Sequence, residues 1–276
     1  MILYSINGEM PKAPETLNYP DGTLKINIRE TNINRAVLTW RFETDSEFLL
    51  LAYMAQNIRE RFPKSETELY LPYLPNARMD RVHSGNEVFT LKYFCGLINS
   101  LNFSKVTLLD VHSSVGAALL ERCANISPKT YICRAMELCG FDMENDLLFF
   151  PDEGSCKRYS ELFPDCRNIG FGIKQRDWAS GKIIGLDVYG GSPEGRRVFI
   201  ADDICSYGGT VYYSAKRLKE LGCGDINVFF THCENSIAKG ELLKGELIRG
   251  IFTTDSLCTL DNHPKLTVLD CLKGAV

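Results

Sequence analysis

An apolar run, Val198-Phe199-Ile200-Ala201, meets two adjacent carboxylates, Asp202 and Asp203, and then a small-residue loop, Ile204-Cys205-Ser206-Tyr207-Gly208-Gly209-Thr210. These residue types suit a phosphorylated sugar. Neighbouring carboxylates accept hydrogen bonds from vicinal ring hydroxyls or hold Mg²⁺ through water. Ser206, Gly208, Gly209 and Thr210 supply hydroxyls and close backbone N–H groups for phosphate oxygens, at the positive end of a helix dipole. The elements that must position them are a buried strand over 198–201 and a helix over 211–221, stopped by Gly222. A strand, a Gly-Gly turn and a helix also arise as plain α/β packing, so this segment alone leaves the chemistry open.

Five further segments carry groups of related chemistry. Residues 71–81 place Arg78 and Arg81 around Asp80 at the end of an apolar run, where guanidinium forks suit a polyphosphate and a solvated ion-paired loop fits equally. Asp110 and His112 end another run, on one side of it if strand alternation holds. Asp152 follows Phe149-Phe150-Pro151, the position where open α/β sheets meet ligands and also a natural helix N-cap. Lys174 and Arg176 follow a strand and open a segment able to neutralise charge in phosphoryl-type transfer, or to form an exposed charged turn. Tyr19-Pro20-Asp21-Gly22-Thr23 has the composition of a β-turn.

Short apolar runs alternate with helical patterns along the whole chain: 36–40, 45–61, 68–71, 90–101 and 105–109, then 147–150, 156–163, 168–173, 182–189, 198–201 and 226–231. That alternation predicts βαβ units around mainly parallel sheets, in two lobes that meet near residues 126–128. A chain of 276 residues can bury a substantial core in two domains. The net charge of −4 gives no global field for nucleic acid or an anionic membrane, so phosphate recognition must be local. Eleven scattered cysteines without CxxC pairs, no leader-like start and no apolar stretch long enough to span a bilayer predict a soluble, cytoplasmic protein.

Taken in order, the six segments resemble the ribose-phosphate diphosphokinases, or PRPP synthetases, in a short and divergent form; the type I phosphoribosyltransferases share only the segment at 202–210. The resemblance implies an α/β fold of two phosphoribosyltransferase-like (type I) domains, each a mainly parallel sheet flanked by helices. These would be 1–127 on the ATP side and 128–276 on the ribose-phosphate side, with the last residues returning to the first. It implies ATP contacts from Tyr19, Asp21, Arg78, Asp80, Arg81 and His112, the first two reaching a neighbouring subunit. Mg²⁺ would be served by His112 and Asp152, catalysis by Lys174 and Arg176, and the ribose phosphate by Asp202, Asp203, Ser206, Tyr207, Gly208, Gly209 and Thr210. The implied reaction moves the β,γ-diphosphate of MgATP to the anomeric hydroxyl of a ribose 5-phosphate unit and releases AMP, in a homo-oligomer, a dimer or hexamer, that needs no nucleic acid or membrane.

The sequence departs from the family at Thr23, Met79, Ser206 and Tyr207, the last two replacing an aspartate and a threonine of the sugar-phosphate loop. A phenol does not fit a small anion cradle, but it can stack on a ring such as adenine. The acceptor is therefore either ribose 5-phosphate or ADP-ribose, whose terminal ribose keeps a free anomeric hydroxyl. The alternatives are a phosphoribosyltransferase and a non-catalytic regulatory homologue. Thr231-His232 and Thr253-Thr254-Asp255-Ser256 also resemble family segments, without an assigned chemistry.

Overall fold

A computed structural model describes residues 1–176 and 183–272. The chain divides into two compact units, Met1–Ser127 with Asp270–Val276, and Pro128–Leu269.

The first unit runs β1 (Ile2–Ile6), β2 (Glu15–Asn18), β3 (Leu24–Asn27), β4 (Arg35–Trp40), α1 (Glu47–Arg61), β5 (Glu66–Leu71), α2 (Thr90–Ser100), β6 (Lys105–Leu109), α3 (Ser114–Leu119) and β7 (Cys123–Ile126). Its five-stranded sheet has the order β1-β4-β5-β6-β7, parallel except where β1 pairs with β4. The periodic Leu51, Met54, Ala55 and Ile58 give α1 the apolar stripe that buries it in the core around Trp40. β2 and β3 stand apart as an antiparallel hairpin.

The second unit contains α4 (Lys129–Cys139), β8 (Leu147–Phe150), α5 (Glu153–Tyr159), β9 (Ile169–Arg176), β10 (Ile183–Gly190), β11 (Val198–Cys205), α6 (Gly209–Glu220), β12 (Ile226–Cys233), β13 (Gly250–Thr254) and β14 (Leu266–Leu269). Seven strands form one sheet in the order β10-β9-β8-β11-β12-β13-β14, with only the β9–β10 pair antiparallel. β8 and most of β11 and β12 are buried, as continuous apolar runs between two layers of helices should be. The architecture is mixed α/β with mainly parallel sheets flanked by helices.

Three local expectations change. β11 runs on through Asp202 and Asp203 to Cys205 rather than stopping at Ala201, because β12 still pairs with it after β8 has ended opposite Ile200. α5 starts at Glu153, earlier than the apolar pattern suggests, because Asp152 and Ser155 close a capping box. Asp110 adopts a left-handed backbone, φ 46°, just past β6, so the strand alternation that would align it with His112 is broken there. Asp110 is buried while His112 is half-buried.

Candidate active site

In the first unit the predicted residues gather at the carboxyl ends of neighbouring strands. β5 and β6 pair in parallel up to Leu71 opposite Leu108, and the Leu109 N–H donates to the Pro72 carbonyl at 3.1 Å. The loops bearing Arg78, Asp80 and Arg81, and bearing His112, therefore leave the sheet side by side. α3 closes against the first loop: a Cβ on Gly116 would lie 2.7 Å from Leu74 Cδ2 and 3.3 Å from Val111 Cγ2, so a larger residue would have to push the Leu74 side chain aside. Arg78 and Arg81 are exposed, and Arg81 Nε stands 3.4 Å from Asp80 Oδ1. That ion pair is the solvated-loop alternative in physical form, and it leaves both guanidinium groups at the surface, where a phosphate chain has access.

Tyr19 and Asp21 lie elsewhere in this unit, in the turn that joins β2 to β3. The Tyr19 N–H donates to the Thr23 carbonyl and the Gly22 N–H to that of Tyr19, both at 2.8 Å. Asp21 Oδ1 accepts from the Thr23 hydroxyl at 2.7 Å and from its N–H at 3.0 Å, which holds the Asp21 carboxyl below its ordinary range. Tyr19 is 48% exposed at the tip, so the turn is a presented feature rather than a buried one.

In the second unit the remaining segments share the carboxyl edge of the larger sheet, where ligands bind in parallel α/β folds. Asp152 follows β8, the two adjacent acids close β11, and the backbone of Lys174 and Arg176 belongs to the far end of β9. Lys174 pairs with Leu186 and Arg176 with Ile183. The side chains of both, and the residues 177–182 that follow, lie outside the described residues. Asp152 Oδ1 accepts from the Ser155 N–H and hydroxyl, each at 3.0 Å, so this carboxylate caps α5.

The two adjacent acids differ in their surroundings. Phe199 and Ala201 belong to the core cluster that includes Tyr159 of α5, whereas Val198 and Ile200 belong to the cluster on the α6 side. Asp203 continues the first face and forms an ion pair with Arg158 of α5, a residue that the sequence pattern left unassigned. Its second oxygen accepts from the Ile204 N–H at 2.8 Å. Asp202 is half-buried and accepts from the Asp203 N–H at 3.1 Å.

The loop beyond them is tightly determined. Gly208 has φ 77° and caps α6 without a side chain, so the first N–H groups of that helix have no side-chain cap and are available to an anion. A Cβ there would lie 2.7 Å from Leu242 Cγ and 3.6 Å from Cys205 Sγ. Gly240 in turn presses on the Tyr207 carbonyl, whose carbon would stand 3.0 Å from an added Cβ. In front of the helix there is room, because a Cβ on Gly209 would meet nothing within 4 Å. Tyr207 is 59% exposed.

Beneath the loop lies a buried thiol layer, in which Cys205 and Cys233 are register partners on β11 and β12 and Cys258 belongs to the same cluster. The contact with Cys205, together with burial, pushes the Cys233 thiol up. Among the described residues, no three His, Cys, Asp or Glu side chains converge as metal ligands. Mg²⁺ is ordinarily held through phosphates and water with few protein ligands; His112 in the first unit and Asp152 in the second each carry one group of a suitable type.

Thr231-His232 and the 253–256 segment prove to be one buried polar network. His232 Nδ1 and Ser256 Oγ are 2.8 Å apart, Thr254 Oγ1 donates to the Thr231 carbonyl at 2.6 Å, and Ser256 Oγ donates to the same carbonyl at 3.2 Å. They tie the carboxyl ends of β12 and β13 together.

No protein-family model matches the chain. It is 28% identical to the ribose-phosphate pyrophosphokinase of Aeropyrum pernix over 168 residues, which span 59% of this chain and 53% of that protein. It is 23% identical to the Pyrococcus furiosus ribose-phosphate pyrophosphokinase over 265 residues, 94% of this chain and 91% of that one. It is 24% identical to that of Staphylococcus haemolyticus over 99% of this chain and 92% of that one. The fold is similar to the crystal structure of phosphoribosylpyrophosphate synthetase from Mycobacterium smegmatis, with a TM-score of 0.74 at 17% identity, covering 94% of this chain and 86% of that one.

Proposed function

Because the chain is a divergent member of the ribose-phosphate pyrophosphokinase family, we propose that it transfers the β,γ-diphosphate of MgATP to the anomeric hydroxyl of a ribose 5-phosphate unit and releases AMP. The observation that carries the reading is that the chain has two strand edges of different chemistry, one in each unit. One unit presents arginines and a histidine at the carboxyl ends of β5 and β6, and the other presents two acids and an open helix start at the end of β11. A phosphoribosyltransferase has use only for the second edge.

In the proposed reaction the anomeric oxygen attacks the β-phosphorus in line, the bond from that phosphorus to the α,β-bridging oxygen breaks, and AMP leaves. Arg78, Asp80, Arg81 and His112 orient the triphosphate, with Tyr19 and Asp21 serving the nucleotide of a neighbouring subunit in a homo-oligomer. Lys174 and Arg176 neutralise the charge that develops on the transferring group and on AMP. Asp202 and Asp203 serve the ribose, while Ser206, Gly208, Gly209 and Thr210 receive its 5-phosphate at the start of α6. Mg²⁺ supplies charge neutralisation along the phosphates when bound. Positioning and electrostatics carry the catalysis, so no covalent intermediate is required.

The finer reading concerns the acceptor. Tyr207 is exposed on the sugar loop, and Gly240 fixes the backbone that carries it. A ring displayed there suits stacking on an adenine beyond the 5-phosphate, which favours ADP-ribose over free ribose 5-phosphate. Mass spectrometry of reactions with ATP, Mg²⁺ and either acceptor tests both levels. AMP release with a diphosphate added to ADP-ribose is the expected result, addition to ribose 5-phosphate alone removes the finer reading, and no AMP with either acceptor overturns the function.

A further inference from the structure

The Arg158–Asp203 ion pair links two segments of the proposed acceptor site, and its placement gives it work to do. Arg158 lies in the last turn of α5, the helix whose first turn is capped by Asp152. Its side chain is 28% exposed and that of Asp203 only 10%, so the charges sit largely out of water. Its guanidinium also lies 5.7 Å from the centre of the neighbouring Tyr159 ring, itself fully buried in the core beneath. A planar, permanently charged fork anchored in this way fixes the direction of the carboxylate it binds. The Ile204 N–H holds the other carboxylate oxygen, so Asp203 is gripped on both sides.

Adjacent residues on a strand point to opposite faces. The pair with Arg158 on the α5 face therefore leaves Asp202, on the α6 face, as the acid directed toward the loop that receives the sugar phosphate. We propose that Arg158 is a positioning residue for the acceptor. By locking Asp203 it fixes the end of β11, and with it the direction of Asp202 and the entry into the 206–210 loop. The proposal rests on the acceptor lying at this loop, as argued above. Within the pair that serves the ribose it assigns unequal roles: Asp202 addresses the acceptor directly, and Asp203 serves it through the backbone it anchors.

Calorimetric titration of ribose 5-phosphate and of ADP-ribose into the full chain, alongside steady-state AMP release, tests this with Arg158→Gln, Arg158→Lys, Asp203→Asn and the Arg158→Gln/Asp203→Asn double variant. Arg158→Gln should weaken the preferred acceptor roughly 10–100-fold, by analogy with the cost of losing a group that orients a metal-binding side chain. The KM for ATP should stay within about twofold, and Arg158→Lys should recover part of the loss because it keeps charge but not the fork. The double variant should be no worse than Asp203→Asn alone, since both changes break one interaction. Unchanged acceptor affinity in Arg158→Gln, additive losses in the double variant, or an equal rise in both KM values with a lowered melting temperature would each overturn the assignment. If the parent binds an acceptor but releases no AMP, the diphosphokinase reading falls while the acceptor titrations still decide the role of Arg158. If it binds neither acceptor, both fall.

Discussion

Residues at the candidate site differ in how openly their type declared their job. The acids, arginines and glycines at 78–81 and 202–210 stand out in the sequence because their chemistry and their position after apolar runs agree, and the structure places them at the carboxyl ends of β5 and β11. Arg158 does not, because a basic residue in a short helix has the pattern of a solvated face, and only the tertiary approach of α5 to β11 gives it a partner. Asp152 was legible in two ways, and the structure displays the local one, a helix cap. The two roles separate by substitution: Asp152→Ala should cost about 1 kcal/mol of stability through the lost cap. Asp152→Asn should keep most of that stability while reducing turnover, and thermal melting run beside AMP release tells them apart. At Tyr207, the Ser206→Asp/Tyr207→Thr double variant should move acceptor preference toward ribose 5-phosphate, and competition between the two acceptors reads the shift. Cys205 is 2% exposed beneath the loop. It should resist alkylation by iodoacetamide in the native protein and react fully once the chain is unfolded, as peptide mass mapping would show.

At the scale of elements, the long apolar strands and the amphipathic helices were readable, while some short strands were not. β1, β13 and β14 are four or five residues long, too short to show a clear period, and their place is seen only from the strands they pair with. β11 outlasts its apolar run because β12 lies alongside it. α2 shows how burial shifts chemistry within an element: its Cys95 thiol, buried in the first core, is pushed from the ordinary 9.0 up to about 11, first by loss of water contact and further by the neighbouring Cys123. The folded chain thus holds this proton more tightly than the unfolded chain does. The resulting stabilisation is complete below about pH 9 and is lost as the pH rises toward about 11. Denaturant midpoints measured across that window should fall less steeply in Cys95→Ala than in the parent.

Across the whole molecule, the division into two units is not sequential, since the chain returns to the first unit after Leu269. Cys271 and Leu272 are buried, and the Tyr70 hydroxyl of β5 donates to the Cys271 carbonyl at 3.1 Å. Ending the chain after Leu269 should therefore lower the melting point of the first unit and leave that of the second in place. Calorimetry would then record two transitions further apart than in the parent. No described helix is long and apolar enough to cross a membrane.

The close approaches of Gly208 to Leu242 and of Gly240 to the Tyr207 carbonyl have a consequence for anyone redesigning the acceptor. The mould of the sugar loop is cast by a segment some thirty residues downstream in the chain, so the recognisable motif holds the reactive groups but not the shape that presents them. Transplanting residues 202–210 from a relative would move the lettering without the page it is printed on. On the proposed reading, acceptor choice is inherited with the pair of segments, and recombination that separates them should yield well-folded chains with an ill-formed 206–210 loop.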